Sequence, residues 1–402
     1  MAELLPVDEA QRLILERARP LEGERVPIER AAGRVLVERA AAAIDLPPFP
    51  SSAMDGFALR ASDTEPAPVT LVLAPGEVAA GGAAGVPLAP GFAVRISTGG
   101  AVPAGADAVV PLELVEERDG SVVVSTPIRP RAHVRERGGD VRAGETVLEP
   151  PIAIGPAQVA ALAAAGVSEV RCTRRPRVAI LVTGSELRQP GQALGAGEIY
   201  ESNGLLLAAG LQGAGAVPAQ LGVVPDDAEE LERALERALL GFDMLVTSGG
   251  ASVGPHDLVR EVQRGLRVDE VFWGVAIKPG KPVAFGVRRD HLVFNLPGNP
   301  VSVLVTFEVL VRPAVNALLG LPDPLPRLDE GFLAAPLRRN RHRREFVRAR
   351  SRLDGDRILL EPLVGQESHM IVRSGRADSL VDLDPGEEEL AAGARVRFLA
   401  LA

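Results

Sequence analysis

The segment RVAILVTGSE (177–186) decides the fold, because an apolar run of strand length ends there in a glycine turn. Such a run is typical of a strand that is buried on both faces of a parallel sheet. Helical and strand-like segments alternate after it. The predicted helices are 203–211, 226–240, 256–264 and 301–319, and the predicted strands are 216–224, 243–248, 282–287 and 292–296. This alternation predicts an α/β domain with a parallel, doubly wound sheet.

The segments on either side of this domain have different patterns of apolar residues. Helical periodicity marks 8–18 and 155–165, whereas short Val-rich runs between 68 and 148 are separated by Gly and Pro. The helix-poor segment 332–402 predicts a small β-barrel or sheet. We therefore predict a multidomain chain with four domains: an N-terminal helical and extended domain in two pieces (1–44 and 141–172), an inserted β-domain (45–140), the α/β domain (173–322) and a C-terminal β-domain (323–402).

Composition excludes several classes of protein. The 402 residues carry a net charge of -9, which argues against general nucleic-acid binding. No apolar run approaches the roughly 20 residues of a membrane span, and the acidic first residues lack a signal-peptide pattern. The single cysteine excludes an intrachain disulfide and a cysteine-built zinc site. We expect a soluble, cytoplasmic protein without nucleic-acid or membrane partners.

The use of lysine points to a site. Among 44 basic residues only Lys278 and Lys281 are lysines, and both lie in the tetrapeptide KPGK. Lysine is a compact point charge, whereas arginine is a planar fork. Two lysines that bracket a Pro-Gly turn favour a functional role over compositional drift.

Three Gly-rich loops follow predicted strands of the α/β domain, where open sheets bind ligands. They are TGSE (183–186), TSGGASVG (247–254) and LPGNP (296–300). The second loop resembles a nest of backbone N–H groups for an anion. Its candidate residues are Ser248, Gly249, Gly250, Ser252 and Gly254. Since no P-loop and no GxGxxG motif occurs, the loops indicate a phosphorylated or oxyanionic ligand of another kind.

Carboxylates accompany these loops. Glu186 ends the first loop, Asp226 precedes a predicted helix, and Asp257 follows the second loop. Beside anion-binding loops, they would hold a cation such as Mg²⁺ or accept N–H groups of a ligand. Alternatively, Asp226 and Asp257 are simply acidic residues at helix N-termini, where they are favourable.

An arginine-rich segment, LRRNRHRREFVRAR (337–350), allows two interpretations. It is a solvated β-ribbon, or a strand that places Arg344, Phe346 and Arg348 on one face, where they meet an oxyanion.

Several motifs resemble one family closely and in order along nearly the whole chain. They are SSAMDGFAL (51–59), RISTGGAVPAGADAVVPLE (95–113), GEIYESN (197–203), TSGGASVGPHD (247–257), FWGVAIKPGKP (272–282) and FNLPGNPVS (294–302). The chain resembles the molybdopterin molybdenumtransferases, which comprise bacterial MoeA and the E domains of proteins such as gephyrin. One departure is Gly274, where bacterial relatives often carry lysine.

The resemblance implies a homodimer with a shared cleft that inserts molybdenum into adenylylated molybdopterin, with phosphoanhydride cleavage and AMP release. It implies that Glu186, Asp226 and Asp257, together with the Gly-rich loops, hold the adenylylated pterin and Mg²⁺. The loop residues concerned include Gly184, Ser185, Pro297, Gly298, Asn299 and Pro300.

The resemblance further implies a molybdate approach lined by Lys278, Lys281, Ser302, Arg348 and Ser368. Asp55, Thr98, Arg135 and Asp140 match family residues of the β-domain, which faces the cleft of the other protomer. Asp55, Thr98, Glu186, Asp257 and the two lysines are the predicted catalytic set. Molybdopterin adenylyltransferase and proteins that mature molybdenum enzymes are the expected partners.

Two other functions are weighed against this one. The adenylyltransferase of the same pathway shares the α/β domain, but a free-standing one lacks the segments 1–170 and 332–402. A non-enzymatic scaffold, like the animal relative that clusters receptors, would not need the KPGK turn.

Overall fold

The computed structural model describes residues 4–82, 86–225, 227–249 and 258–401. The chain forms two compact units. Unit I comprises Met1–Glu24, Gly33–Val37 and Cys172–Ala402, and unit II comprises Arg25–Ala32 and Glu38–Arg171. The finer division into four domains stays a prediction.

The centre of unit I is a six-stranded sheet. Its strands are β1 (Arg177–Thr183), β2 (Val217–Val224), β3 (Met244–Ser248), β4 (Asp269–Trp273), β5 (Ala284–Arg288) and β6 (His291–Leu296), in the spatial order β2-β1-β3-β6-β5-β4. Strands β2, β1, β3 and β6 are parallel, as expected. Strand β5 instead pairs antiparallel with β6, and the edge strand β4, which was not predicted, pairs antiparallel with β5.

Helices cover both faces of this sheet. They are α1 (Asn203–Gly213), α2 (Ala228–Gly241), α3 (Leu258–Gly265) and α4 (Pro300–Thr306), and α4 continues through a π-helical turn (Phe307–Val311) into the helix Arg312–Leu318. Alternate residues of β1 enter opposite cores. Ile180 packs in the core that contains Leu207 of α1, whereas Leu181 packs in the core that contains Leu235 of α2. The period of two along a doubly buried strand explains the continuous apolar run.

Two predicted helices begin near residues that lie outside the described ranges. Helix α2 begins at Ala228, and Asp227 caps it by accepting a hydrogen bond from the Glu230 amide. Asp226 and the predicted start of the following helix, at 256, are not described. The predicted helix 301–319 exists, but its π-helical turn was not foreseen.

One helical stretch of the described residues, Pro300–Leu318, is long and apolar enough to span a membrane. Its most apolar window is 78% buried inside the protein, as in a core helix.

The remainder of unit I includes a closed β-barrel. In spatial order its strands are Arg344–Asp354, Arg357–Pro362, Asp329–Leu333, Arg395–Ala400 and Ser379–Leu383, and the last pairs with the first. Ile277–Lys278 adds in parallel to Arg344–Asp354. The barrel confirms the predicted β-structure of this segment. Smaller elements of unit I are the helices Val7–Leu15 and Ile371–Ser374, the strand Val35–Leu36, the pair Leu187–Arg188 with Ile199–Tyr200, and the pair Leu337–Arg338 with Glu389–Leu390.

Unit II is built on a six-stranded sheet, which confirms the predicted β-structure there. In spatial order its strands are Ala108–Pro111, Gly56–Leu59, Phe92–Ile96, Val69–Val78, Ser121–Val124 and Val115–Arg118. Phe57 and Ala58 belong to separate apolar clusters, as the alternation of side chains along a strand requires. Smaller elements of unit II are the pair Ser51–Ser52 with Val134–Arg135, the pair Ala40–Ala41 with Thr146–Leu148, the strand Ile152–Ala153, the helix Pro156–Ala164, and the 3₁₀ turns Ile28–Arg30, Ala61–Thr64 and Leu112–Leu114. The strands Gly23–Pro27 and Glu169–Thr173 contain points at which the chain passes between the units.

Candidate ligand site

The carboxyl ends of three neighbouring strands gather the Gly-rich loops. Strands β1, β3 and β6 end at Thr183, Ser248 and Leu296 and lie side by side in the sheet. The chain leaves β1 for β2 on one side and reaches β3 on the other, so β1 lies at a topological switch point. Open α/β sheets bind ligands in the crevice at such a point. The structure thus brings the described parts of all three predicted loops to one edge.

Asn203, at the start of α1, ties two of these loops together. Its amide nitrogen donates to Ser248 Oγ at 3.0 Å and to the Gly298 carbonyl at 2.7 Å. Ser248 Oγ in turn donates to the Pro297 carbonyl at 3.1 Å. Because a carbonyl only accepts hydrogen bonds, the contact to Gly298 fixes which side of the amide is nitrogen. The end of β3 and the LPGNP loop are therefore held in one arrangement.

Two glycines let the backbone pack closely here. Gly249 has φ +91°, and a Cβ on it would overlap the Thr183 carbonyl oxygen. Gly184 has φ +151°, and a Cβ on it would lie 2.8 Å from Glu186 Oε2. Side chains rarely adopt such a φ, so both positions require glycine. Ser185, between Gly184 and Glu186, is exposed, and its carbonyl accepts from Arg188 Nη1.

Glu186 is the one predicted metal ligand that the structure describes. Its side chain is exposed beside Gly184 and forms no ion pair with any described residue. Carboxylate oxygens are the donors that Mg²⁺ prefers, so this residue fits such an ion. Asp226 and Asp257 lie outside the described residues, as do Gly250, Ser252 and Gly254 of the predicted nest. Across the part of the chain that the structure describes, no three His, Cys, Asp or Glu side chains form a metal-binding group.

The KPGK turn packs on α4, directly after the LPGNP loop. A Cβ on Gly280 would lie 3.7 Å from the Ser302 carbonyl oxygen, and Gly280 has φ +117°. Ser302 is buried, and its carbonyl accepts from Thr306 Oγ1 at 2.7 Å. The turn and the sheet edge therefore meet at α4.

The two lysines of the turn differ in their partners. Lys278 Nζ lies 2.8 Å from Glu345 Oε1, and 43% of its side chain is exposed. Strand pairing sets this contact, because Lys278 is opposite Glu345 in the register. Lys281 is half-buried and has no ion-pair partner among the described residues. Of the two lysines of the turn, Lys281 is therefore the one whose charge is not paired with a described carboxylate.

Ser368, which lies between the barrel strands Arg357–Pro362 and Ser379–Leu383, contacts the LPGNP loop and the start of α4. Asn299 Nδ2 donates to Ser368 Oγ at 2.9 Å, and the Val301 amide donates to the Ser368 carbonyl at 3.1 Å. Pro300 has no N–H and occupies the first turn of α4. The predicted neighbours Asn299, Ser302 and Ser368 are therefore brought together.

Arg348, for which the resemblance implies a place in the molybdate approach, is buried. It is 1% exposed, and its guanidinium donates to the segment 365–374. Arg344, predicted on the same face, is paired with Asp382 and Asp8. Both arginines of the predicted oxyanion face are therefore engaged within unit I.

Unit II contains the other predicted residues, among which Asp55 and Thr98 bond to each other. Asp55 Oδ1 accepts from the Thr98 amide at 2.6 Å and from Thr98 Oγ1 at 2.9 Å. The Thr98 amide and then its hydroxyl lower the pKa of the Asp55 carboxyl. Arg135 pairs with Ser51 across the strands, and the Asp140 amide bonds to the Leu46 carbonyl. All four predicted side chains are exposed.

Sequence reasoning missed Asn203 and Glu345 as residues that organise the site. A signal for Asn203 existed, since three of the five asparagines fall in Gly- and Pro-rich motifs. Glu345 carried no signal, because its pairing with Lys278 depends on strand register between distant segments.

The fold defines an α/β domain whose Gly-rich loops meet at the carboxyl edge of its sheet, joined to β-rich segments. Three family models match the chain in order: "MoeA N-terminal region (domain I and II)" over residues 5–166, "Probable molybdopterin binding domain" over 179–317 and "MoeA C-terminal region (domain IV)" over 330–401.

Proteins that match this chain over nearly its whole length belong to the same family as the three models. The chain is 38% identical to "Molybdopterin molybdenumtransferase 2" of Mycobacterium tuberculosis, over 97% of this chain and 98% of the relative. It is 32% identical to the "Molybdopterin molybdenumtransferase" of Bacillus subtilis, over 99% and 94%. A crystal structure of the molybdopterin biosynthesis MoeA protein from Pyrococcus horikoshii matches with a TM-score of 0.83 and 33% identity, over 99% of each chain. The chain belongs to the molybdopterin molybdenumtransferase (MoeA) family.

Proposed function

We propose that this chain inserts molybdenum into adenylylated molybdopterin, cleaves its phosphoanhydride and releases AMP. One observation carries the proposal. The KPGK turn and Ser368 both contact α4, the helix that contains Ser302 and directly follows the LPGNP loop. A site for a small oxyanion therefore adjoins a site suited to a phosphorylated heterocycle.

The residues present suit both substrates. Molybdate is a compact tetrahedral dianion, and an ammonium group meets it as a point charge without the geometry of a fork. Lys281 would supply such a charge, and the Ser368 hydroxyl, which accepts from Asn299, would supply a further donor. Asn203 bonds to the Gly298 carbonyl of the LPGNP loop, and the backbone N–H groups of this loop and of Gly249 would bind the phosphate groups.

Glu186, with Asp226 and Asp257, would hold Mg²⁺. When bound, this ion would offset the negative charge of the phosphoanhydride. The chain's own residues orient the two substrates and oppose the charge that develops during cleavage.

The test is incubation of the protein with adenylylated molybdopterin, with and without molybdate, followed by measurement of AMP. We expect molybdate-dependent AMP release. An adenylyltransferase would instead consume ATP and molybdopterin and release pyrophosphate. Absence of AMP release at every molybdate concentration would contradict the proposal.

We further propose a homodimer in which Asp55, Thr98, Arg135 and Asp140 complete the cleft of the partner. Their exposure supports this, because unit II leaves all four side chains available to a ligand. Mixing Asp55→Ala and Lys281→Ala protomers should restore one intact site per heterodimer. A verified heterodimer without recovered activity would show that the sites are not shared.

The expected location is the cytoplasm. The expected partners are the molybdopterin adenylyltransferase, which would deliver the substrate, and proteins that mature molybdenum enzymes, which would receive the product. Co-purification of the tagged chain with either class would test this expectation.

A further inference from the structure

Helix α3 places a polar side chain in the core. Val259 and Gln263 are the buried residues of this helix, and they lie four positions apart on one face. Val259 packs in the apolar core that also contains Leu245 and Val293 of the sheet. Gln263, which is only 4% exposed, therefore occupies a position at which an amphipathic helix normally carries an apolar residue.

A buried asparagine of the sheet pairs with this glutamine. Gln263 Nε2 donates to Asn295 Oδ1 at 2.7 Å, and Asn295 Nδ2 donates to Gln263 Oε1 at 2.8 Å, so the two amides form a reciprocal pair. Thr247 Oγ1 donates to the same Asn295 oxygen at 2.8 Å. All three side chains are buried. The network therefore joins α3 to strands β3 and β6.

The two strand residues of the network lie at the carboxyl edge of the sheet. Thr247 and Asn295 are opposite each other in the register of β3 and β6. Because side chains alternate along a strand, Ser248, the last residue of β3, points to the other face, where its hydroxyl accepts from Asn203 of α1. The end of β3 is thus held from both faces, by Asn203 on one and by Gln263 and Asn295 on the other.

Stability alone does not account for the amide pair. Replacing both partners of a buried hydrogen bond by apolar groups of the same shape is nearly neutral or even stabilising. A buried polar network whose members are all bonded instead rigidifies the elements that it joins and specifies one arrangement of them. Here those elements include the two strand ends that lead into Gly249 and the LPGNP loop.

We propose that Gln263 is a positioning residue: through Asn295 and Thr247 it fixes the ends of β3 and β6, so that the backbone N–H groups of Gly249 and the LPGNP loop meet the phosphate groups of the ligand. The inference deepens the proposed function and rests on it for the identity of that ligand. Gln263 itself lies in the core and acts through the two strands.

Hydrogen–deuterium exchange of the full-length protein, without any ligand, gives the first test. We compare Gln263→Leu with a double variant that combines Gln263→Leu and Asn295→Leu. The matched control is Gln212→Leu, at an exposed amide of α1. We expect exchange of the amides in 245–249 and 294–299 to rise about tenfold in both the single and the double variant. It should stay unchanged in the control.

Melting curves of the same variants separate stability from positioning. Gln263→Leu should lower the melting temperature, because it leaves the buried Asn295 amide without its partner. The double variant should regain most of this loss, since neither amide remains unpaired. Thr247 Oγ1 keeps an acceptor there, because the Phe294 carbonyl lies 3.4 Å away.

The third test is AMP release titrated with adenylylated molybdopterin. Gln263→Leu and the double variant should both raise the half-saturating concentration about tenfold, with a smaller change in kcat. A role confined to fold stability predicts otherwise: the half-saturating concentration would return to the wild-type value in the double variant, together with the melting temperature.

The outcomes separate this inference from the proposed function. Wild-type half-saturation in the double variant, or unchanged exchange in Gln263→Leu, would overturn the inference. Should Gln263→Leu fail to fold, Thr247→Val removes the bond to Asn295 while keeping the shape of the side chain, and unchanged exchange in 245–249 would then overturn it. Wild-type protein that releases no AMP, but whose strand ends loosen in the double variant, would contradict the proposed function and support the positioning of the strand ends.

Discussion

The predicted site residues of unit I and those of unit II differ in where their hydrogen-bond and ion-pair partners lie. At the sheet edge of unit I, Asn203, Lys278 and Asn299 each bond to a residue of another element. In unit II, Asp55 and Thr98 bond mainly to each other, and Arg135 is exposed. Hydrogen bonds between elements thus hold the edge of unit I in place, whereas the side chains of the group in unit II are exposed to solvent.

This difference predicts where substitutions cost stability. A polar group that is buried and bonded leaves unsatisfied partners when it is removed, whereas an exposed group is replaced by water. Substitutions at the edge of unit I should therefore lower the free energy of unfolding, and those in unit II should change function with little loss of stability.

The largest loss should follow Gly249→Ala. Its Cβ would overlap the Thr183 carbonyl oxygen at a φ of +91°. We expect a loss of about 3 kcal/mol or more in the free energy of unfolding, measured by urea denaturation. Gly213→Ala is the control, because a Cβ there meets nothing within 4 Å. Equal stability of the two variants would show that the close approach at Gly249 is not required.

A smaller loss should follow Asn203→Ala. Asn203 is 8% exposed and makes two hydrogen bonds that tie loops together. Its removal should cost about 2 kcal/mol. Asn299→Ala, which removes one bond from an exposed amide, should cost less than about 1 kcal/mol. Urea denaturation measures the free energy of unfolding of both variants. A larger loss in Asn299→Ala than in Asn203→Ala would contradict the expected relation between burial and loss of stability.

The two lysines should separate stability from activity. Lys278→Ala leaves the buried Glu345 carboxylate without its cation and should cost about 1 kcal/mol, whereas Lys281→Ala should change stability by less than about 0.5 kcal/mol. Melting curves measure this difference. Indistinguishable melting temperatures would indicate that the contact with Glu345 does not stabilise the fold.

In turnover, both alanine variants should lose about 2.7–4 kcal/mol of transition-state stabilisation, and the Lys→Arg variants less. Molybdate-dependent AMP release measures the effect. If Lys278→Arg and Lys281→Arg both behave as wild type, the two lysines are not used for oxyanion binding.

The smallest effect should come from Asp55 in unit II. Hydrogen bonds from Thr98 lower the pKa of its carboxyl in the folded state. Its contribution to stability is therefore fully present above the unfolded pKa, about 3.9, and is lost as pH falls through the lower folded pKa. The stability difference between wild type and Asp55→Asn should be constant from about pH 5 to 7 and shrink in acid. A difference that grows on acidification would contradict the assigned direction.

Much of the fold followed from local patterns. The apolar run of β1 and the alternation after it identified the α/β domain, and the positions of the loops identified its ligand edge. Strand β4 was missed because its two acidic residues, Asp269 and Glu270, interrupt the apolar pattern that marks buried strands. Because β4 is an edge strand and only one of its residues is buried, its sequence lacks the run of apolar residues that predicts a buried strand.

The sequence alone determined the kinds of structure and chemistry: a doubly wound domain, glycine loops at its strand ends, a pair of lysines and a family resemblance. Each of these depends on periodicity or composition within a short segment. Only the tertiary structure decided which charges remain available. Lys278 contacts Glu345, and Arg348 donates to the segment 365–374, through contacts that strand register and burial set. A charged side chain shows its type in the sequence, but its partners depend on how the chain folds back on itself.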